Sequence, residues 1–192
     1  MDPRFGPALN LAWLTVLVYW LWSARRVKAP VQSESLAKRF VAYWLPLILA
    51  FLLLGPGEWF AGCPLREQFV PHSIAFQSAG IFLCFAGAAI ACWSRHVLGG
   101  NWSATVQLKS DHRLITRGPY GLIRHPIYTG FLLLFLGNAV LVGDWRGLVA
   151  VAIVFLSFWR KLRLEERWLS ELFGDAYRQY AARTSALIPG LL

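Results

Sequence analysis

Two short polar stretches of this 192-residue chain carry side chains suited to chemistry. The first is RGPYGLIRHPIYTG at 117–130, which sets Arg124 and His125 directly before Pro126. Proline has a fixed φ and no donor, so it suits the first turn of a helix. Arg124 and His125 then stand at the positive end of that helix, where free amides and the helix field favour an anion. A plainer account is a basic flank with a helix-starting proline, and the residues alone leave both open. The second stretch is RLEERWLSELFGDAYRQYAAR at 163–183, with the adjacent carboxylates Glu165 and Glu166. Adjacent helical positions point about 100° apart, so at most one of the two is expected to aim at any given point. Again a solvated face is the plain alternative: Lys161–Glu165, four apart, supports a helix, and Arg163–Arg167 opposes it. No metal site is expected. His72, His96, His112 and His125 show no HExxH-type spacing, and Cys63, Cys84 and Cys92 form no CxxC pair.

These stretches need a scaffold, and composition says what kind. Hydrophobic residues make up 57% and charged residues 15%. Soluble domains carry about 25% charged and 45–50% apolar residues. The balance argues against a soluble globular enzyme and against disorder. Apolar runs predict five transmembrane helices at about 8–24, 40–55, 73–93, 127–143 and 147–159. The expected fold is therefore an all-α polytopic membrane bundle with a cytoplasmic C-terminal helical segment, in a single domain spanning 1–192. Loop 94–126 and tail 160–192 hold most of the non-membrane mass. Pro46 is expected to kink the second span. Gly80, Gly87, Ala88 and Ala89 allow close packing of the third. Asp144-Trp145-Arg146 makes a tight hairpin turn. In the loop, Val106–Leu108 and Leu114–Thr116 are extended candidates and Gly118-Pro119 is a turn. In the tail, span five continues outward as an amphipathic helix, Gly174 breaks it, and Asp175 caps a second short helix. Leu187, Ile188 and Leu191 are expected to return to the bilayer.

The chain is basic, with formal charge +9. In a soluble protein that would point to nucleic acid. Here all of the 19 basic residues except Arg4, Arg66 and Arg146 fall on one side of the five-span arrangement. The positive-inside rule then puts the amino terminus outside and the carboxyl terminus in the cytoplasm, in the inner cell membrane. The expected partner is the lipid bilayer, not nucleic acid. The many Trp and Tyr residues near span ends read as interfacial belts.

Together the two polar stretches carry a recognisable pattern. GPY…RHPxYxG, a helical hairpin, then RxxEExxLxxxFGxxYxxY resembles the isoprenylcysteine carboxyl methyltransferase family, whose wider group includes membrane phospholipid N-methyltransferases. The resemblance covers about the last 80 residues, while the first 90 match only as apolar helices. It implies an S-adenosylmethionine-dependent membrane enzyme with no Rossmann sheet, in keeping with the lack of a GxGxxG before a helix. It also implies a cofactor pocket on the cytoplasmic side between loop and tail. Carried over residue by residue, Gly118, Tyr120, His125, Pro126 and Tyr128 fall on that pocket. Glu165 and Glu166 match the family's glutamate pair. Gln107, Leu108, His112 and Leu114 lie where the family's loop lines the cofactor. Arg183 matches a late arginine placed near the substrate's carboxylate. Arg124, Glu166 and Arg183 are thus the residues implied to act in transfer itself.

Such roles make chemical sense. Arg124 or His125 suits the cofactor's carboxylate, a glutamate suits ribose or amine hydrogens, and Tyr120, Tyr128 or Trp168 suits adenine or the sulfonium. Methyl transfer is an in-line displacement, so alignment and exclusion of water supply most of the rate. The expected acceptor is lipidic or isoprenylated, most simply a carboxylate, arriving from the bilayer. Gly130 and Gly137, near Asn138 in the fourth span, would line an opening between helices or else pack tightly. Amine and thiol acceptors stay open. So do two other classes: an NADPH-dependent reductase of sterol-like lipids, and a non-enzymatic membrane scaffold.

Overall fold

The computed structural model describes residues 4–25, 30–33, 35–102, 107–109 and 114–190. Helix α1 (Phe5–Ala24) is followed by strand β1 (Pro30–Ser33). A continuous rod comes next: α2 (Leu36–Arg39), a π-helical turn at Phe40–Trp44, and α3 (Leu45–Leu53). Helix α4 (Ile74–Leu98) leads to strand β2 (Gln107–Lys109) and a 3-10 turn at Gly118–Gly121. Helices α5 (Pro126–Val142), α6 (Trp145–Phe173) and α7 (Asp175–Ala181) complete the order.

The bundle is all-helical, but the expected count of five spans does not stand. Three helices are long and apolar enough to cross a membrane: Phe5–Ala24, Leu36–Leu53 and Ile74–Leu98. The expected fourth span is α5, an apolar helix of only 17 residues. At 1.5 Å per residue that is about 26 Å, short of a hydrocarbon core of about 30 Å. The expected fifth span is only the apolar first half of α6, a 29-residue helix. Its second half carries Arg160, Lys161, Arg163, Glu165, Glu166 and Arg167. The helix runs on past the apolar stretch to Gly174 as expected, but the apolar half alone is not of membrane length.

At Pro46 the rod passes from a π-helical turn into α3. Proline cannot donate to the carbonyl four residues back, that of Ala42. The preceding π turn absorbs the mismatch. The Ala42 carbonyl accepts instead from Ser157 Oγ of α6, at 2.8 Å. The proline therefore leaves an acceptor that helps to hold α3 against α6.

Small residues decide the α4–α5 contact. A Cβ at Gly80 would lie 2.8 Å from the Gly137 carbonyl, and one at Gly130 would lie 2.7 Å from the Ala91 amide. Gly87 and Gly137 meet their partners as closely. Gly130 and Gly137 are therefore packing residues of the α4–α5 seam. Around this seam lie two buried apolar groups, one on Phe135, Val154 and Leu162, the other on Val16, Cys84 and Leu134.

At one end, Gly143 (φ 75°) closes α5 in the left-handed region that glycine tolerates. The hairpin tip then meets the α3–α4 loop. Gln68 bridges to Asp144, and the Gly143 carbonyl accepts from the Phe69 amide at 3.0 Å. At the other end lie the 3-10 turn, the start of α5, the polar half of α6, and the tail. Strands β1 and β2 pair antiparallel, with Ser33 opposite Gln107. Leu114–Thr116 is not part of that ribbon.

Candidate functional site

Pro126 is the first residue of α5, as its chemistry requires, and His125 is the residue before it. Helix α6 continues past its apolar half far enough to bring Glu165 and Glu166 alongside that start. Gly174 (φ 53°) ends it, and α7 turns back. Asp175 is the first residue of α7 and pairs with Arg178 rather than capping.

Both glutamates reach one imidazole. Glu165 Oε2 lies 3.5 Å from His125 Nδ1, and Glu166 Oε1 lies 3.3 Å from His125 Nε2. The two carboxylates take different nitrogens, so they share one residue without sharing one point. An imidazole is not a point: its two nitrogens face different sides, and diverging carboxylates can straddle it. Tyr128, one turn into α5, donates to Glu165 Oε1 at 2.7 Å and stacks on the His125 ring at 5.4 Å between centroids.

Arg124 ties three elements together. Its Nε donates to Glu166 Oε1 at 2.7 Å, and its Nη1 donates to the carbonyls of Ala181 (3.0 Å) and Thr184. The backbone continues this pairing. The Arg124 amide donates to the Ser185 carbonyl at 2.8 Å and the His125 amide to that of Ala186 at 3.0 Å. Thr129 Oγ1 donates to the Leu187 carbonyl at 2.7 Å. Four consecutive tail carbonyls are thus held by the 124–129 segment. Leu187 accordingly joins the protein core and not the bilayer. Ile188 is exposed, and Leu191 lies outside the described residues.

Electrostatics follow from this packing. Burial would lower the pKa of His125, but the hydrogen bonds and charges of Glu165 and Glu166 outweigh it, so the imidazole titrates above its ordinary 6.5. Burial would raise Glu165, yet His125, Lys161 and Tyr128 hold it below the ordinary carboxylate value. Against burial, His125 and Arg124 pull Glu166 down to about 2. Burial pushes Tyr120 well up and Tyr180 up to about 12. Tyr180 Oη donates to the Tyr120 carbonyl at 2.7 Å. Tyr177 Oη is buried with no hydrogen-bond partner among the described residues, close enough to feel the charges of Glu166 and Arg124.

A pH profile of stability should show this. A raised histidine stabilises the fold below its unfolded pKa of about 6.5, and the contribution is lost as pH rises through the higher folded value. Depressed glutamates stabilise it above about 4.3, and that is lost as pH falls through their lower folded values. The melting temperature of detergent-purified protein should therefore be highest between about pH 5 and 6.5 and fall on both sides. His125→Gln should remove the alkaline fall; an unchanged alkaline limb in that variant would refute the assignment.

Other expected site residues are spread more widely. Tyr120, Pro126 and Tyr128 are buried at this end of the bundle. Leu114 is half-buried. Gly118 (φ 62°) rests on α4, where a Cβ would lie 3.3 Å from Val97. Gln107 and Leu108 lie on β2, opposite Ser33 and Gln32. His112 lies outside the described residues. Arg183 is exposed, and no hydrogen bond or ion pair joins its side chain to the cluster.

Sequence reasoning missed Lys161 and Tyr43. Lys161 is buried, with Nζ 5.2 Å from the Tyr128 ring centroid and 5.4 Å from that of Tyr43. Its four-residue spacing from Glu165 was the available signal. Nothing local distinguished Tyr43 from the other interfacial aromatics.

Comparison with known proteins bears on this arrangement. The phospholipid methyltransferase family profile matches residues 76–176. The protein-S-isoprenylcysteine O-methyltransferase of Schizosaccharomyces pombe is 32% identical over 159 residues, covering 77% of this chain and 67% of that protein. The methanethiol S-methyltransferase 1 of Bradyrhizobium diazoefficiens is 43% identical over 70 residues, covering 36% of this chain and 24% of that protein. Among solved structures, the eukaryotic intramembrane Ras methyltransferase (isoprenylcysteine carboxyl methyltransferase) superposes with a TM-score of 0.58 at 22% identity. That match covers 82% of this chain and 54% of the other. The fold is therefore shared, while the chain spans only about half of the solved protein's length.

Proposed function

The chain belongs to the phospholipid methyltransferase family, and from that premise we propose that it methylates a lipidic or isoprenylated small acceptor at the membrane interface. Family membership implies dependence on S-adenosylmethionine. The protein is an integral, multi-pass membrane protein. The distribution of its basic residues supports a cytoplasmic location for the His125 end.

One observation carries the reading: His125, Glu165, Glu166 and Arg124 converge where the loop, α6 and the tail meet. The donor set suits the cofactor. It offers carboxylates for amine or hydroxyl hydrogens, tyrosine rings for flat or cationic groups, and the Tyr177 hydroxyl, unpartnered among the described residues. When bound, the cofactor supplies an electrophilic methyl on a sulfonium. Glu165 and Glu166 orient it, with His125 and Arg124 fixing the carboxylates. Tyr120 and Tyr128 exclude water. Arg183, exposed and unpaired among the described residues, is free to turn toward an acceptor carboxylate. A carboxylate is anionic already and needs no base, which suits a site whose acids and bases are committed to one another.

The test is transfer of labelled methyl from S-adenosylmethionine to extracted lipids and to small prenylcysteine analogues. Label released by mild base marks an ester and supports the carboxylate. Base-stable label marks an amine or thiol acceptor and overturns that choice. If His125→Ala and Glu165→Ala both bind S-adenosylmethionine as the unaltered protein does, the site is elsewhere. Binding of NADPH in its place would mark a reductase.

A further inference from the structure

About 25 Å from His125, at the far end of the 17-residue α5, the bundle holds a cavity of about 500 Å³. The proposed transfer does not use it. Leu9, Leu54 and Leu141 supply apolar walls. Asn138 also lines it. That side chain is only 7% exposed, and its amide hydrogen-bonds to no described residue. Its amide is thus left open to a hydrogen bond from within the cavity.

The mouth is cationic. The Arg66 and Arg146 guanidiniums converge over Gly57, where a Cβ would lie 3.2 Å from Arg66 Nη2 and 3.3 Å from Arg146 Nη2. Asp144 is the one carboxylate on the lining, and both its oxygens are taken by Arg146 Nε at 2.8 Å. Arg146 Nη1 donates to the Gly55 carbonyl. Arg66 has no ion pair or side-chain hydrogen bond among the described residues. His72 is held beside the cavity, with Nε2 3.0 Å from the Val142 carbonyl and Nδ1 2.9 Å from Gln68 Nε2. Two guanidiniums thus meet with one carboxylate between them and an open cavity in front.

We propose that this cavity binds a small amphiphilic oxyanion. Its charged head sits between Arg66 and Arg146, its short apolar stem lies against the leucines, and Asn138 takes a hydrogen bond deeper in. Planar guanidiniums are well matched to carboxylate and phosphate heads. The apolar walls call for the stem, which a bare inorganic ion does not have.

Hexanoate and inorganic phosphate are the probes, read as shifts in melting temperature of the full chain in neutral phosphatidylcholine nanodiscs. Hexanoate should stabilise saturably, and phosphate less. Arg66→Gln, at an exposed side chain, should weaken hexanoate about tenfold or more. Asn138→Ala should weaken it too. Lys38→Gln, at the opposite end, should leave it unchanged. Equal responses to hexanoate and phosphate, or hexanoate binding indifferent to Arg66→Gln, would overturn the proposal. S-adenosylmethionine binding measured on the same variants should not change, so the two sites fail separately.

Discussion

Arg124→Ala should reduce methyl transfer by about a hundredfold or more, with a lower melting temperature. The guanidinium joins Glu166 on α6 to the carbonyls of Ala181 and Thr184. Its loss leaves Glu166 half-buried with His125 as its one side-chain partner among the described residues and frees the tail from one of its side-chain anchors. Breaking a buried pair by removing one partner costs about 3–5 kcal/mol. Both side chains here retain some solvent, so about 2–3 kcal/mol is the better expectation. The larger loss is in rate, because a displacement of about 1 Å is enough to spoil alignment. Lysine cannot fork to three acceptors. Arg124→Lys should therefore recover some stability and little activity. Arg124 is thus a positioning residue: its Nε and Nη1 are committed within the protein. Wild-type turnover in Arg124→Ala, measured with labelled methyl, would remove that role.

Gly130→Val should destabilise the bundle by about 3 kcal/mol or more, a large part of a typical stability of 5–15 kcal/mol. Even the first added carbon would sit 2.7 Å from the Ala91 amide and 2.9 Å from its Cβ. Backbone atoms cannot step aside as side-chain tips can, so α4 and α5 must separate. That movement would also shift the start of α5 and, with it, His125. Phe82→Ala is the control. Phe82 lies on α4 but is 71% exposed, and its loss should change little. Thermal unfolding of the two variants in one detergent makes the comparison. A Gly130→Val protein as stable as the parent would mean that the helices are not held at this distance.

Some of the fold was legible in the chain. The first three apolar runs correspond to the three membrane-length helices. Pro126 starts a helix, and Gly174 ends one. Each is a local property: hydropathy, a missing donor, a tolerated φ. The family resemblance likewise singled out His125, Tyr128, Glu165 and Glu166, which the fold brings together. What was not legible depended on a second element. The number of long spans failed because α5 and the apolar half of α6 are too short to count as membrane-length helices. Gly130 and Gly137 were ambiguous until α4 lay against them.

By itself, then, the sequence determined a membrane-embedded helical chain, the family it resembles, and several helix ends. Tertiary structure alone decided that two diverging glutamates grip opposite sides of one histidine, that Arg124 is committed to the tail, and that Ser157 answers the acceptor left by Pro46. The reason is physical. Propensity and capping act over one turn of chain, whereas a hydrogen bond across 40 to 115 residues exists only after the helices carrying its two ends have packed.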